Sequence, residues 1–400
     1  MNIVAIAWRY LLARPLAAAL NLLLLTLGLG SITFVLLVGT QLDRAFERDL
    51  AGIDVVVGAK GSPMQLILAG VFHIDVPAGN IPLAAVLELQ QDARVAQLIP
   101  ISLGDTLRGF RVVGTTPAYV SHYGARLAQG VVWADSMQAV LGAQVARSTG
   151  LAVGGGFHGS HGLGGSGQEH GDHPYQVTGV LAPCGCVLDR LVLTSTESVW
   201  QVHEKSTAPD EEHPKAVEAE REVTLALIRY KSPLAAVSFP RFVNTTTVMQ
   251  AAAPAIEVTR LLGMVGVGTD VLRGFGAVLL LSAGLSVFIA LWSAVRERRA
   301  DLAMLRLLGA PPAKVAGLVV CEALLLAVLA IVLGLALGHG LAHLAGYWMQ
   351  AERSLPLTGW TWLGAEWWVP ALGVGVALVA ALLPALGAYR LDVMSLLNAR

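Results

Sequence analysis

Long apolar runs, separated by polar segments, dominate the pattern of this chain. Four of these runs reach the roughly 20 apolar residues that a helix needs to cross the hydrocarbon core of a bilayer. They are Leu16–Gly39, Ala277–Val295, Val315–Leu337 and Trp367–Tyr389. The pattern predicts four transmembrane helices, one before and three after a segment of more than 200 residues.

The long segment from Gln41 to about Arg273 contains shorter stretches, each with the spacing of a single helix or strand. Leu42, Phe46 and Leu50 follow helical spacing, which indicates that the first span continues as a stalk. Four β-branched runs predict strands: Ile53–Gly58, Gly109–Thr115, Tyr175–Leu181 and Asp189–Ser195. Two stretches have helical periodicity: Ile81–Gln91 and Ser136–Gly150, the second ending at a glycine suited to close a helix.

The expected fold is therefore an α-helical membrane protein with four transmembrane helices in a one-plus-three arrangement and a large α+β domain between the first two. The predicted boundaries are 1–40 for the N-terminus and first span, 41–272 for the domain with its stalks, and 273–400 for the remaining spans.

Composition agrees with a membrane protein. Hydrophobic residues make up 55% of the chain and charged residues only 14%, against about 25% charged in soluble domains. A net charge of −1 offers no basic surface for nucleic acid, so that partner is excluded. The first span is longer than the apolar core of a signal peptide and no A-x-A-like site follows it, which favours a retained anchor.

The distribution of Lys and Arg predicts the orientation. Positive residues precede the first span, follow the fourth, and concentrate in the 296–314 loop, whereas the 338–366 loop holds only Arg353. By the positive-inside rule both termini and the 296–314 loop are cytoplasmic. In a bacterial inner membrane, residues 41–272 then lie in the periplasm.

The 296–314 loop contains a short amphipathic pattern. Charged residues at its start are followed by leucines at helical spacing and a glycine stop: Arg296, Arg298, Arg299 and Asp301, then Leu302, Leu305, Leu308 and Gly309. Such a helix either lies on the membrane surface or docks into the groove of a partner by its apolar residues. The pattern alone leaves both alternatives open.

Its sequence, "ERRADLAMLRLLGA" (Glu297–Ala310), resembles a stretch of the MacB, LolC/LolE and FtsX permeases of the type VII ABC transporter superfamily. Glu297, Arg298, Leu305, Arg306 and Gly309 match that stretch, and Asp301 stands where the family has Glu. Further resemblances are "CEALLLAVLAIVLGLALG", with its early Glu322, "LLPALGAYRLDVMSLL", and in the long segment "VLGAQVARSTGLAVGG" and "YQVTGVLAPCGCVLDRLVLTSTESVWQVHE".

This resemblance implies a permease subunit that couples ATP hydrolysis on a separate cytoplasmic ABC ATPase dimer, which holds ATP and Mg²⁺, to movement of the periplasmic domain. The coupling residues would be Glu297, Arg298, Arg299, Asp301, Leu305, Arg306 and Gly309. The implied partners are a second copy of the chain or a homologous permease, and a periplasmic adaptor, lipoprotein or metal-binding protein. An FtsX-like transducer that activates a periplasmic partner is the alternative on the same scaffold.

The chain itself shows no signature of catalysis. The segment closest to a phosphate-binding loop, "GAKGS", has Ala59 before Lys60, and neither H-E-x-x-H nor G-x-S-x-G occurs. We therefore expect no enzymatic activity of its own.

One tract suggests metal chemistry. Residues 154–171 contain nine glycines, and His158, His161, His170 and His173 form two H-x-x-H pairs in and beside this stretch. Four imidazoles suit Zn²⁺, but ordering so many glycines costs about 1–2 kcal/mol per residue fixed. The tract is either a zinc-capturing segment, as in a membrane-anchored metal receptor, or a solvated loop.

Cys184 and Cys186 either add thiolates to such a site or are plain turn residues. Their separation of two residues argues against a disulfide between them.

Two features of the spans complete the prediction. Glu322, in the third span, is either a functional intramembrane carboxylate or a structural group bonded to a neighbouring helix. The tryptophans near the fourth span predict an interfacial aromatic belt: Trp360, Trp362, Trp367 and Trp368.

Overall fold

The computed structural model describes residues 3–160, 174–204, 221–351 and 357–391. Its helices are α1 Ile3–Leu12, α2 Pro15–Leu50, α3 Pro63–Gly70, α4 Leu83–Gln90, α5 Ala118–His122, α6 Ala143–Thr149, α7 Thr196–Glu204, α8 Ala235–Thr246, α9 Pro254–Glu297, α10 Arg299–Leu307, α11 Pro312–Ala351 and α12 Trp368–Tyr389. Its strands are β1 Val55–Ala59, β2 Ile81–Pro82, β3 Val95–Leu107, β4 Phe110–Thr115, β5 Leu127–Gly130, β6 Gln138–Leu141, β7 Gly156–Phe157, β8 Tyr175–Leu181, β9 Leu191–Ser195, β10 Glu222–Val223, β11 Leu225–Tyr230 and β12 Met249–Ala252.

The chain divides into two compact units. The membrane unit comprises Met1–Leu42 and Met264–Arg400, and the large domain comprises Asp43–Gly263. Four helices in the described residues are long and apolar enough to cross a membrane: α2, α9, α11 and the helical segment Gly364–Tyr389 that contains α12. Each contains one of the predicted spans, so the one-plus-three arrangement is confirmed.

Helix α2 continues without a break beyond the predicted first span. Its 36 residues correspond to about 54 Å at 1.5 Å per residue, against about 30 Å for the hydrocarbon core of a bilayer. The predicted helical stalk at Leu42, Phe46 and Leu50 is present as the last part of this helix.

Small residues bring α2 and α11 close together. A Cβ atom on Gly334 would lie 2.8 Å from the Leu29 Cβ, and one on Gly338 would lie 2.5 Å from the Thr33 Cβ. This small-xxx-small spacing is a common way for membrane helices to pack. Leucine, valine and alanine side chains of α2, α9, α11 and α12 fill the apolar core around this contact.

In the described part of the large domain, ten strands form a mixed sheet at its centre. Its order is β12-β1-β11-β3-β4-β9-β6-β8-β5, and β7 pairs with β8 at one side. The pairs β4–β9 and β6–β8 are parallel, whereas the other pairs in this sheet are antiparallel. Two apolar clusters cover it, one around Phe239 and one around Tyr175, so the predicted α+β class is confirmed.

Most predicted elements of this domain are present with shifted ends, but the single helix over Ser136–Gly150 is wrong. Gln138–Leu141 is a buried strand, and only Ala143–Thr149 is helical, closed by Gly150 at φ 72° as predicted. Gly142 lies between the strand and the helix. A side chain does not fit at this position, because a Cβ on Gly142 would lie 2.1 Å from the Leu188 carbonyl oxygen. The run "AVL" fits a strand between β8 and β9 as well as it fits a helix.

Candidate coupling site

The amphipathic segment of the 296–314 loop folds as predicted into a short helix. Arg298 separates α9 from α10, and its carbonyl accepts the first hydrogen bond of α10 from the Leu302 N–H at 2.9 Å. The helix ends before Gly309, whose φ of 91° suits glycine. The Ala310 N–H donates back to the Leu305 carbonyl at 3.0 Å, and α11 starts at Pro312.

The two faces of α10 have different surroundings. Leu302 and Ala303 are buried against the spans, and Leu305 packs beside them. Met304, Leu307 and Leu308 are 59%, 60% and 85% exposed. The prediction that Leu308 shares one apolar stripe with Leu302 and Leu305 is therefore wrong. The turn at Gly309 leaves it on the exposed side, and α10 presents a second apolar face, which we call the outer face of α10 (Met304, Leu307, Leu308).

A buried ion pair fixes the start of α10. The Arg298 guanidinium donates to Glu322 Oε1 of α11 at 3.2 Å and to the Tyr10 carbonyl of α1 at 3.1 Å. It also lies over the Tyr10 ring, 3.9 Å from the ring centroid. Glu322 is only 6% exposed. Glu322, for which the sequence predicts either a functional carboxylate or a group bonded to a neighbouring helix, is bonded to the residue that precedes α10.

Two more contacts hold the same region. Glu297 pairs with Arg14, which precedes α2, and the Arg306 guanidinium donates to the Leu391 carbonyl just after α12. Arg299 and Asp301 are exposed on α10. The candidate coupling residues thus fall into an anchored group (Glu297, Arg298, Leu305, Arg306) and an exposed group (Arg299, Asp301, Gly309).

A polar cluster near the C-terminal part of α11 was not predicted. His339 bonds through Nδ1 to the Gly359 carbonyl at 2.7 Å and through Nε2 to Glu366 Oε2 at 3.0 Å. Gln41 of α2 exchanges two hydrogen bonds with the Thr358 backbone, both 2.9 Å long. These bonds connect α2, α11 and the segment before α12. In the sequence, the signal for this cluster is a His and a Glu on either side of one short loop. Their pairing depends on how the loop folds.

The four tryptophans predicted as an interfacial belt lie beside this cluster. Trp360, Trp362, Trp367 and Trp368 are all exposed, and their place at a membrane interface stays a prediction.

The metal prediction falls largely outside the described residues. His158 is exposed, whereas His161, His170 and His173 lie in the 161–173 segment that the structure does not describe. Within the ranges that it does describe, no three His, Cys, Asp or Glu side chains gather as a metal site. The described residues on either side of that segment are held in the sheet, because Phe157 pairs with Tyr175 and Ser160 bonds to Thr106 on β3.

The expectation that Cys184 and Cys186 do not pair is wrong, because they form a disulfide. Gly185 between them has a φ of 64°, and this turn brings the two Cα atoms to 5.1 Å. A disulfide offers no thiolate, so the paired cysteines cannot serve as the metal ligands considered above.

Comparison with known families fits this geometry. The family model "MacB-like periplasmic core domain" matches residues 18–237, more than half of the chain, and the model "FtsX-like permease C-terminal" matches residues 273–393. The chain belongs to the MacB and FtsX type of ABC transporter permeases. It is a membrane protein whose large domain is the periplasmic core domain of that family.

Two solved structures are similar to part of this chain. The periplasmic region of MacB from Actinobacillus actinomycetemcomitans is 10% identical, with 53% of this chain and 95% of that chain covered and a TM-score of 0.35. The extracellular domain of the noncanonic ABC-type transporter YknZ from Gram-positive bacteria is 12% identical, with 49% and 98% covered and a TM-score of 0.32. No curated protein matches the chain.

Proposed function

We propose that this permease couples ATP hydrolysis by a separate cytoplasmic ABC ATPase dimer to movement of its periplasmic domain, and that this movement drives export or extraction of a periplasmic substrate. The outer face of α10 is the observation that carries the proposal. It exposes three large apolar side chains on a helix whose opposite face is fixed to the spans, which suits insertion into a groove of a partner.

The anchor of α10 supports transmission of force. A displacement of α10 acts through Arg298 directly on α11, by way of Glu322, and on α1, by way of Tyr10. Packed helices move as units between discrete arrangements rather than deforming gradually. The ATPase therefore moves the helices of the membrane unit, and α2 carries that movement along its unbroken length to Leu50.

The spans favour movement of helices over passage of a polar substrate between them. Their shared core consists mainly of leucine, valine, isoleucine and alanine side chains, and its buried polar side chains are engaged: Asn21 accepts from Ser286, Thr33 donates to the Leu29 carbonyl, and Glu322 pairs with Arg298. A path for ions through the bilayer needs polar groups along its length. We therefore place substrate handling in the periplasmic domain, with a second copy of this chain or a homologous permease completing the transporter.

The disulfide supports the proposed orientation. Disulfides persist in the periplasm and are rare in the cytosol, so the Cys184–Cys186 bond agrees with a large domain outside the inner membrane. Both termini and α10 are then cytoplasmic, as the distribution of positive residues predicts.

The test uses charge insertion on the outer face of α10. Met304→Glu and Leu308→Glu should abolish co-purification with a candidate ABC ATPase and the stimulation of ATP hydrolysis by the permease, because a carboxylate in an apolar groove loses its hydration. Val131→Glu, on an equally exposed valine of the large domain, is the matched control and should leave both unchanged. Normal ATPase binding by the two α10 variants would refute the proposal.

Zinc capture by the histidine tract remains a second proposal, supported by the two H-x-x-H pairs at its ends. Phe157 is buried and β7 pairs with β8, so a deletion that tests this proposal should leave Phe157 and β7 in place. Replacing residues 161–173 by a short linker, together with His158→Ala, should remove Zn²⁺ binding measured by calorimetry on the purified protein. Unchanged affinity for Zn²⁺ would exclude the tract as the site.

A further inference from the structure

The disulfide lies inside the large domain, beside the last residues of α2. Cys184, Gly185 and Cys186 form a tight turn after β8, which we call the CGC turn. Arg48, two residues before the end of α2, donates to the Gly185 carbonyl. The neighbouring Asp49 accepts the Val187 N–H at 2.8 Å through Oδ1. Both contacts lie within the large domain and join its entry helix to this turn.

A second carboxylate holds the turn from the other side. Asp189 accepts the Cys184 N–H at 3.0 Å and the Gly185 N–H at 2.7 Å. Both Asp49 and Asp189 are buried, and the Arg190 side chain supplies positive charge to both. Buried carboxylates need such donors, because an unsatisfied one is costly. The shape of the CGC turn therefore decides whether Asp49 keeps its donor.

The two sulfur atoms differ in access. Cys184 is half-buried, whereas Cys186 is only 6% exposed, so an approaching thiolate reaches Cys184 first. The Cys184 Sγ also lies 3.4 Å from Asp189 Oδ1, so a thiol formed there has an acceptor for its proton. Cys321, the other cysteine, belongs to α11 in the membrane unit.

We propose that the CGC turn is a thiol–disulfide exchange site for a periplasmic dithiol, and that its reduction releases the end of α2 from the Arg48 and Asp49 contacts. This proposal concerns the large domain alone and does not depend on coupling to an ATPase.

The exchange balances as a two-electron transfer. A thiolate of the dithiol attacks the Cys184 sulfur, the Cys184–Cys186 bond breaks, and Cys186 leaves as a thiolate that takes up a proton. The second thiol of the dithiol then attacks the first sulfur of the dithiol, which is bound to Cys184 in the mixed disulfide. Cys184 leaves as a thiolate and takes up a proton. The dithiol ends as a disulfide and the permease carries two thiols.

The release of the end of α2 follows from the burial of the Asp49 carboxylate. Without the covalent link the turn gains conformational freedom, and the Val187 N–H no longer stays in place for Asp49. Losing a hydrogen bond to a carboxylate weakens local structure enough for about tenfold faster exchange of the amides that depend on it. The affected amides are those of residues 43–50, at the end of α2.

The experiment uses the full-length chain in lipid nanodiscs with Cys321→Ala, so that only the pair gives thiols. The protein is treated with dithiothreitol, alkylated, and examined by mass spectrometry and hydrogen exchange. We expect two new thiols and about tenfold faster exchange at residues 43–50, with unchanged exchange in Leu225–Tyr230 of the central sheet. The Cys184→Ser/Cys186→Ser variant should exchange equally fast with and without reductant.

Two results would overturn the proposal. One is a disulfide that stays intact in the folded protein at a dithiothreitol concentration that reduces an exposed reference disulfide. The other is full reduction with unchanged exchange at residues 43–50. Faster exchange over the central sheet as well would show global unfolding instead of local release, and this also contradicts the proposal.

Discussion

Arg298 and Glu322 form the most buried ion pair of the proposed coupling site. Removing one partner of such a pair leaves a desolvated charge, which costs about 3–5 kcal/mol, whereas removing both is far less costly. We expect Arg298→Ala to lower the thermal midpoint of the detergent-solubilised protein strongly, and Arg298→Ala/Glu322→Ala to recover much of the loss. Equal losses in the single and double variants would show that the pair does not stabilise the fold.

The partner of Glu322 illustrates what the sequence leaves open at this scale. The pattern of residues 296–309 predicts the helix, its charged start and its end, because these depend on neighbours within one or two turns. The bond from Arg298 to Glu322 spans 24 residues and also requires α1 beside both of them. Such a contact depends on how three helices pack.

Asp49 lies in the stalk part of α2, beyond the apolar segment that spans the membrane, and its surroundings predict a dependence on pH. Burial raises the pKa of Asp49 to about 6, although Arg190, the Val187 N–H and Arg48 each lower it and Asp189 raises it further. The nearby Tyr119 and Tyr123 side chains have raised pKa values, so they stay neutral in this range.

The folded state holds the proton of the Asp49 carboxyl group more tightly than the unfolded chain does. The protonated carboxyl therefore contributes to the free energy of unfolding, and this contribution is fully present below about pH 4. That contribution, about 2–3 kcal/mol, is lost as the pH rises through about 6. We expect the difference in thermal midpoint between wild type and Asp49→Asn to change between pH 4 and 7, with wild type losing stability relative to the variant. A difference that is constant over this range would contradict the raised pKa.

At the scale of elements, the close packing of α2 and α11 depends on glycine. A Cβ on Gly338 would lie 2.5 Å from the Thr33 Cβ and 3.0 Å from the Gly30 carbonyl oxygen, so Gly338→Ala should force the helices apart at a cost of about 1–3 kcal/mol. Gly340→Ala, on the same helix with nothing within 4 Å of the new Cβ, is the control. Thermal unfolding in detergent measures both, and equal midpoints would refute the packing argument.

Periodicity predicts elements well where one environment dominates a whole segment. The spans satisfy this condition, and so do strands such as Tyr175–Leu181, which is observed with the predicted ends. Ser136–Gly150 fails because the apolar residues of a short buried strand and of a short helix look alike, and Gly142 separates the two within one run. The paired cysteines show a similar limit, since their pairing depends on the conformation of Gly185.

At the scale of the whole molecule, α2 is the element that begins in the membrane unit and ends in the large domain. Its last turn bears Asp49, which accepts the Val187 N–H, and about two turns earlier it bears Gln41, which bonds to Thr358. Three apolar positions in the sequence predict the stalk, but they do not predict these two polar contacts. Both are hydrogen bonds to distant backbone groups, which side-chain patterns do not reveal.

If α2 transmits movement as a rigid helix, interrupting this helix should leave ATP hydrolysis intact but abolish the movement of the large domain that hydrolysis causes. Inserting Gly-Gly-Ser after Leu42 adds backbone freedom between the span and the stalk while leaving α10 and its anchor intact. We expect binding of the ATPase and its stimulated hydrolysis to persist, while ATP no longer changes hydrogen exchange in residues 43–50. The same insertion after Gly124, in a turn of the large domain where a side chain would meet open space, is the matched control and should preserve the ATP-dependent change. An ATP-dependent change that survives the insertion after Leu42 would mean that movement reaches the large domain by another element, with α9 as the remaining continuous helix to test.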